Sequence, residues 1–540
     1  MVPEPGGAGL VRGAGLDGRV PHLAATMAEL ERAHAPRWIL PAAEELYPAL
    51  LRAGVRLGRC HDLALTEGIL LACAGDGGRP RNLAAAWARP RGLPEPPDPP
   101  PPGRGETLAL FEVDRGTVPA GGLDAAAEVY ADQQRRIAAD PHPDRLRLLV
   151  AAESAGALAA AEMTHHGLPW RADVHDALLV ELLGPRPSAG GRPARLVELA
   201  EEITAAFGGY PVNPDAPGSV VKAFKRAGIE VPSSRAWVLR EVDHPAVAPL
   251  LQYKELARLW VATGWTWLDA WVHGGRFRPD YVVGGVVSGR WATRGGAALQ
   301  LPKALRTAVR ADPGWSLVVA DAAQLEPRVL AALAGDHRFA EVSASSDLYT
   351  SLAADAFDGD RARAKTAMLS AMYGGTAGGA GPLLAVLRKR FPAAVDYVER
   401  AARAGEAGEV VRSRLGRTSP PPSASWRALI GSPDEATETR SRQAARNWGR
   451  FTRNFVVQAS AADWALTVLA ALRRRLLPTD AQIVFFQHDE VLVHCPVDLA
   501  ELVASEVDSA AQEATRLVFG ATPVRFPLQA NIVDCYADAK

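Results

Sequence analysis

The 540-residue chain carries 60 Lys+Arg against 61 Asp+Glu, a formal charge of −1, with 48% hydrophobic and 22% charged residues. That length exceeds what one hydrophobic core organises and predicts about three or four domains. The charge balance excludes a whole-molecule basic field, so any hold on nucleic acid has to come from local patches. Cys60, Cys73, Cys495 and Cys535 show no CxxC or other metal spacing and fit reduced thiols better than a disulfide frame. No uninterrupted apolar run approaches the ~18–20 residues of a membrane span, and Met1 to Val20 is rich in Gly and Pro with no apolar signal segment. A soluble, cytoplasmic protein is expected.

Leu23 to Trp87 reads as a small α/β stretch, with a strand over Arg37–Leu40 and a helix over Glu45–Ala53. The run from Arg89 to Gly103 holds too many prolines for a helix or central strand and predicts a stiff extended connector. Pro143 to Trp271 is mainly helical, and Tyr253, Leu256, Trp260, Trp267 and Trp271 recur as one core-facing helix stripe. Arg276 to Asp336 is strand-like and then helical. Leu348 to Val410 is helical again, interrupted by the glycine-rich run that starts at Gly374 and ends at Gly379. A Pro/Ser loop, Ser419 to Ser425, precedes an Arg-rich helix over Glu438–Arg453, and Ile483 to His494 alternates as a hairpin. No internal repeat of fixed period is visible.

Three segments carry chemistry. In Ser316–Arg328, the apolar run Leu317-Val-Val ends near Asp321, and a helix with Pro327 in its first turn follows, so Asp321 sits at a strand-to-helix corner. Alone, such an aspartate is more often a helix cap or turn residue. In Ile483–Cys495, two apolar runs flank His488, Asp489 and Glu490 at a tight turn, which alone suits a soluble hairpin tip. Carboxylates from two adjacent strands are what a two-metal site needs, with two Mg²⁺ about 3.5–4 Å apart activating the attacking oxygen and holding the leaving one. Between them, Arg361, Lys365, Leu369 and Tyr373 step by four residues on a helix that Asp358 or Asp360 is placed to cap. At 3.6 residues per turn they drift only about 40° per step and form one stripe: two cations, an apolar position and a ring. Phosphates prefer the cationic end, and a base has Tyr373 to stack on; a solvated basic face has the same spacing. Together the three segments read as phosphoryl or nucleotidyl transfer.

These residues resemble the three polymerase motifs of family A DNA polymerases, the DNA polymerase I family. Asp321 to Arg328 resembles motif A, Arg361 to Gly374 the fingers helix of motif B, and His488-Asp489-Glu490 motif C. Ser288-Gly-Arg290 with Leu299-Gln-Leu-Pro302 resembles the TGR…NLQNIP segment, and Arg450, Asn454 and Gln458 to Asp463 resemble the R…N…QGTAAD helix. The five follow in order from about Leu148 to the C-terminus. The resemblance implies an α+β right-hand polymerase: thumb over 141–275, palm over 276–336 and 451–540, and fingers over 337–450. A small ribonuclease H-like domain of the 3′–5′ exonuclease type is expected over 1–140. It further implies a monomer that acts on primer-template DNA and dNTPs in DNA replication or repair, with two Mg²⁺ ions and no membrane. Asp321 and Asp489 would bind the metals, and Arg361 and Lys365 the triphosphate. Gln324 and Leu369 would line the nucleotide site, Tyr373 would close over the nascent pair, and Glu326 would crowd the sugar 2′ position. Arg290, Gly374, Arg450, Asn454, Gln458, His488 and Glu490 would meet the DNA.

Four positions depart from the family pattern. Ala322-Ala323 replaces Tyr-Ser, Leu369 stands where an aromatic residue stacks on the sugar, Ala297 replaces an Asn, and Thr418 follows Gly416-Arg417 in place of a second Arg. The N-terminal resemblance is faint and rests on Arg37 to Ala88, chiefly His61-Asp62 to Leu71. That chemistry needs four carboxylates beginning with Asp-x-Glu. None occurs before residue 140, Leu46 falls where another acid is expected, and Val129-Tyr130-Ala-Asp132 matches the last motif only loosely. The domain is therefore expected to be vestigial, with Asp62 and Asp132 as surface or capping residues, and no 5′-nuclease domain is expected. Two other functions remain open from residues alone: a 3′–5′ exonuclease, and a non-catalytic DNA-binding protein descended from a polymerase. Arg388 to Arg390, Arg412 to Arg417 and Arg440 to Arg453 are candidate DNA contacts.

Overall fold

The computed structural model describes residues 1–13, 15–100, 122–188, 190–296, 298–345, 347–374, 380–431 and 435–539. They divide into two units. The first holds Met1–His166, Asp280–Thr293 and Gly314–Ile532; the second holds Gly167–Pro279, Arg294–Pro313 and Val533–Lys540.

In the first unit the Gly- and Pro-rich beginning of the chain is ordered as a three-stranded antiparallel sheet, Val2–Pro3, Gly9–Gly13 and Leu16–Val20. Its strands lack apolar alternation, so the sequence carries no sign of it. The expected strand Arg37–Leu40 forms and pairs in parallel with Arg59–Asp62, and the expected helix spans Ala43–Arg52. Leu40, Tyr47, Leu50 and Leu57 bury their side chains together with Leu158 of the helix Pro143–His166. That helix, allotted to the thumb by its place in the chain, thus packs on the N-terminal sheet. The proline connector is docked where it is described: the Asp98 carboxylate accepts the N–H groups of Arg81 and Asn82, both at 2.9 Å, and the Asn82 amide donates to the carbonyls of Pro96 and Pro97 at 3.1 Å. Its end, residues 101–103, lies outside the described residues.

The central sheet runs in the order Gln482–Gln487, Glu490–Pro496, Trp315–Ala322, Leu528–Val533. The expected hairpin is present, but its alternation does not separate a wet face from a dry one. Ile483 to Phe486 and Glu490 to Cys495 are all buried, with the helices Pro143–His166 and Ala500–Phe519 packed on the sheet. A bulge at Val484 shifts the pairing by one residue, from Ile483 opposite Val493 to Phe485 opposite Leu492.

A 42-residue helix, Glu435–Leu476, is the longest element. The segment Glu438–Leu476 is long and apolar enough to cross a membrane, but 83% of its apolar window is buried inside the protein. Two buried ion clusters tie it down. Asp463 and Glu153 hold Arg417 at 3.0 and 2.5 Å. Glu162 holds Arg473 at 2.7 Å, and Arg473 also donates to the Leu57 and Gly58 carbonyls while the Tyr47 hydroxyl donates to Glu162 at 2.6 Å.

The second unit contains the helices Ala172–Leu183, Ala194–Ala206, Val247–Thr263 and Trp265–Trp271 and a short three-stranded sheet. The aromatic stripe is not one helix: extended backbone at Gly264 (ψ −166°) breaks it between Trp260 and Trp267. Beyond the break, the Trp267 indole donates to the Gly296 carbonyl at 2.8 Å. A Cβ at Gly295 would lie 2.6 Å from the Trp271 ring, which accounts for glycine there.

Removing one partner of a buried ion pair leaves an uncompensated charge, which costs about 3–5 kcal/mol. Glu162→Ala should therefore lower the first thermal unfolding transition by several degrees, whereas the same change at Glu198, whose pair with Arg195 is exposed, should shift it by less than about 1 kcal/mol equivalent. Differential scanning calorimetry of the two variants checks this.

Candidate functional site

The strand Trp315–Ala322 pairs antiparallel with Glu490–Pro496, placing Asp321 opposite Glu490 at the end of the ladder. The hairpin tip that follows, His488-Asp489, is fastened to the same corner because the Ala322 N–H donates to the Asp489 carbonyl at 3.1 Å. Both corners carry side chains at left-handed backbone: Gln324 has φ +50° and His488 φ +59°. Positive φ at a non-glycine residue is uncommon, and such strain gathers where surrounding structure enforces it.

Asp321 and Asp489 are half-buried, while Glu490 is 5% exposed. Burial, then the Asp321 charge, pushes the Asp489 carboxyl up to about 7. The two aspartates therefore share one electrostatic environment. Glu490 is buried and adds to the same negative field at Asp489.

A cavity of about 250 Å³ opens beside them. Arg290, Gln324, Glu326, Leu369, His488 and Asp489 line it, along with Tyr349, Met372, Ala461 and Ala462. Glu326 is fixed at both oxygens, by the Arg290 guanidinium and by the Tyr373 hydroxyl, which donates to it. Burial and the Glu326 carboxylate raise the Tyr373 pKa, and Gln458 also hydrogen-bonds the phenol. Burial, then the Arg290 charge, lowers the His488 pKa.

The cationic helix spans Arg361–Tyr373. Of the two candidate caps it is Asp360 that serves, accepting the Arg363 N–H at 3.0 Å. Lys365 is exposed one turn before the cavity-lining Leu369. Arg361 is held by Asp347 at 3.0 Å and lies 5.6 Å from the centre of the Tyr349 ring. Gly374 ends the helix in left-handed backbone at φ +68°, and a Cβ there would come within 3.0 Å of Arg450 Cγ. Glycine is thus required both by the turn and by the approach of the long helix. On that helix Arg450 is exposed and Asn454 and Gln458 are half-buried.

Other expectations are redirected. Arg417 is enclosed by Glu153 and Asp463, and Arg414 donates to the Val518 carbonyl at 3.1 Å, whereas Arg412 stays exposed in its pair with Asp140 at 2.8 Å. Arg453 is likewise buried against Glu399, whereas Arg388, Arg440, Arg442 and Arg446 are exposed. Thr418 bonds the Gly416 carbonyl at 3.1 Å; Ala297 lies outside the described residues. Asp347, Tyr349 and Met372 escape the sequence reading, since an Asp before Leu-Tyr-Thr signals only a helix cap.

Paired carboxylates, a walled cavity and a cationic helix, set on this fold, have the layout of the polymerase class. The family model described as DNA polymerase family A matches residues 194–533. The chain belongs to that family. It is 29% identical over 318 residues to the thermostable DNA polymerase I of Thermus filiformis, a match covering 54% of this chain and 36% of that one. To DNA polymerase I of Chloroflexus aurantiacus it is 26% identical over 335 residues, covering 55% and 33%. The chain thus spans about a third of the length of the curated relatives it matches. The POL domain of Pol1 from M. smegmatis, solved in complex with DNA primer-template and dNTP, superposes with a TM-score of 0.72 at 19% identity over 96% of this chain and 88% of that one. The fold is therefore that of a family A polymerase domain.

In metal-free buffer the raised Asp489 carboxyl opposes folding wherever it is ionised. Its stability contribution is full below the ordinary value of 3.8 and is lost as pH rises through about 7. Asp489→Asn should therefore melt several degrees above wild type at pH 8 with a chelator present, and the gap should close between pH 7 and 4.

Proposed function

We propose that the chain is a template-directed DNA polymerase that adds dNMPs from dNTPs to a primer 3′-OH and releases pyrophosphate, in DNA repair or replication. Family membership over 194–533 supports the reading, and the observation that carries it is the placement of Asp321 and Asp489 at one corner of the sheet beside the cavity walled by Glu326.

Asp321 and Asp489 would hold two Mg²⁺ ions. Their oxygens are the hard donors this ion takes, and the raised Asp489 carboxyl marks a site short of positive charge. When bound, the ions neutralise phosphate charge and make a nearby hydroxyl more acidic. The protein supplies position. Arg361 and Lys365 attract the triphosphate and stay with the departing pyrophosphate. Glu326, immobilised at both oxygens by Arg290 and Tyr373, forms a wall where a ribose 2′-OH would project. Leu369 offers the sugar an aliphatic surface, and Tyr373 the base a ring. Arg290, Arg450, Asn454, Gln458 and His488 follow the primer-template, and Gly374 lets the template come close. Held before reaction begins, such groups lower the barrier through orientation and fixed electrostatics.

The N-terminal domain, on this reading, has no exonuclease activity. Asp62 is a buried helix cap accepting the N–H groups of Leu65 and Ala43 at 2.8 and 2.7 Å. Glu67 is neutralised by Arg89 and Arg136, Asp132 pairs with Arg135 and Arg136, and Leu46 is buried. Carboxylates engaged in this way are not free to hold two cations.

Primer extension with Mg²⁺ and dNTPs tests the whole. Wild type should extend, and Asp489→Ala should lose about 100-fold or more, the several kcal/mol that metal-assisted charge stabilisation supplies. Glu326→Ala should raise ribonucleotide incorporation by about 10-fold or more, in line with removal of a fitted wall; unchanged sugar selectivity would refute that role. End-labelled DNA incubated with Mg²⁺ and no dNTP should stay full length.

A further inference from the structure

Arg361 is the first cation of the stripe, yet it already has a partner: its Nε donates to Asp347 Oδ2 at 3.0 Å. Asp347 is itself fixed. Its other oxygen caps the helix Leu348–Ala356 by accepting the Tyr349 and Thr350 N–H groups at 3.0 and 3.2 Å, and it accepts the Gln324 side-chain amide at 3.3 Å. The direction of that amide is set, because Gln324 Oε1 accepts from the Leu348 N–H at 3.0 Å and from Arg328 Nη2 at 3.3 Å. Arg328 is fully buried and clamped to the carbonyls of Ala323, Ser343, Ser345 and Arg525. A hydrogen-bonded line therefore runs Arg328–Gln324–Asp347–Arg361, from the core behind the Asp321 corner to the surface of the cationic helix. Gln324, expected at the nucleotide, serves as a link in it.

The outer end of the line is open to exchange. The Arg361 and Asp347 side chains are 52% and 39% exposed, and the Tyr349 ring beside Arg361 lines the cavity. A triphosphate carries several negative charges and takes a guanidinium from a single carboxylate. The cap and the Gln324 amide keep Asp347 from following or turning away, so it remains as a like charge beside the incoming phosphates.

We propose that Asp347 is a positioning residue that holds Arg361 in the nucleotide-free protein and must release it when a nucleoside triphosphate binds. It keeps the guanidinium at the cavity edge and sets how much affinity the triphosphate needs. This rests on the polymerase reading above. Asp347→Asn retains the helix cap and removes the competing charge. An exposed pair of this kind sets a modest effect, so the dNTP KM should fall about two- to fivefold, with kcat changed by less than about twofold. In an Arg361→Ala background the same substitution should have no effect on KM, since the group it restrains is gone. Asp347→Ser, another capping residue, should behave as Asp347→Asn does and guards against a folding defect peculiar to one variant. Steady-state single-nucleotide extension by the full chain reads wild type, the two Asp347 variants, Arg361→Ala and the double variant. A KM that is unchanged or raised in both Asp347 variants overturns the proposal, as does an equal fall in the presence and absence of Arg361. Wild-type extension is the separate control: its absence overturns the polymerase reading and this proposal with it, whereas extension with unaltered KM overturns only the exchange.

Discussion

Two carboxylates brought into each other's field are what the rest of the first unit is arranged around. Like charges at neighbouring strand ends repel, and burial removes the water that would screen them. The chain offsets this with backbone: seven register pairs between the Asp321 strand and the hairpin, an N–H from Ala322 to the Asp489 carbonyl, and two side-chain-bearing residues driven into left-handed conformation, one beside each acid. The bulge at Val484 lies four residues before His488 and adds local twist to the strand that delivers the tip. A site held this way stays assembled before any ligand arrives.

The same unit uses charge for a second purpose in its core. The helices meeting there are rich in alanine, and an apolar seam of small residues accepts many similar registers. The clusters around Arg417 and Arg473 accept few, because a buried guanidinium has donors that must all be matched. Among the described residues, Arg328, Arg417 and Arg473 are buried and structural, whereas Arg361, Arg440, Arg442, Arg446 and Arg450 are exposed.

That contrast marks the limit of what is legible from sequence. Asp321, Glu326, Asp489 and the Arg361–Tyr373 stripe can be read because their meaning lies in local order: a strand end, a two-residue turn, a four-residue step. The enclosure of Arg417 is not legible because a charge run looks the same whether solvent or a distant carboxylate meets it; Glu153 lies 264 residues from Arg417. Gly264 splits the aromatic stripe although the spacing of the rings continues across it, since periodicity registers side chains and not a backbone break. The first sheet is invisible because its strands follow no apolar alternation, and Asp347 because its local role as a cap hides its distant partner.

The long helix has a mechanical corollary. Arg473, near one end, is gripped by Tyr47, Leu57 and Gly58 of the N-terminal domain through Glu162 and backbone carbonyls, and Arg450 lies 23 residues away on the same rod, about 35 Å at 1.5 Å per residue. A tilt of about 5° at the grip swings the far end by roughly 3 Å, more than the tolerance of a hydrogen bond. The N-terminal packing is thereby a bearing for this rod, and a shift in it would be felt at the far end.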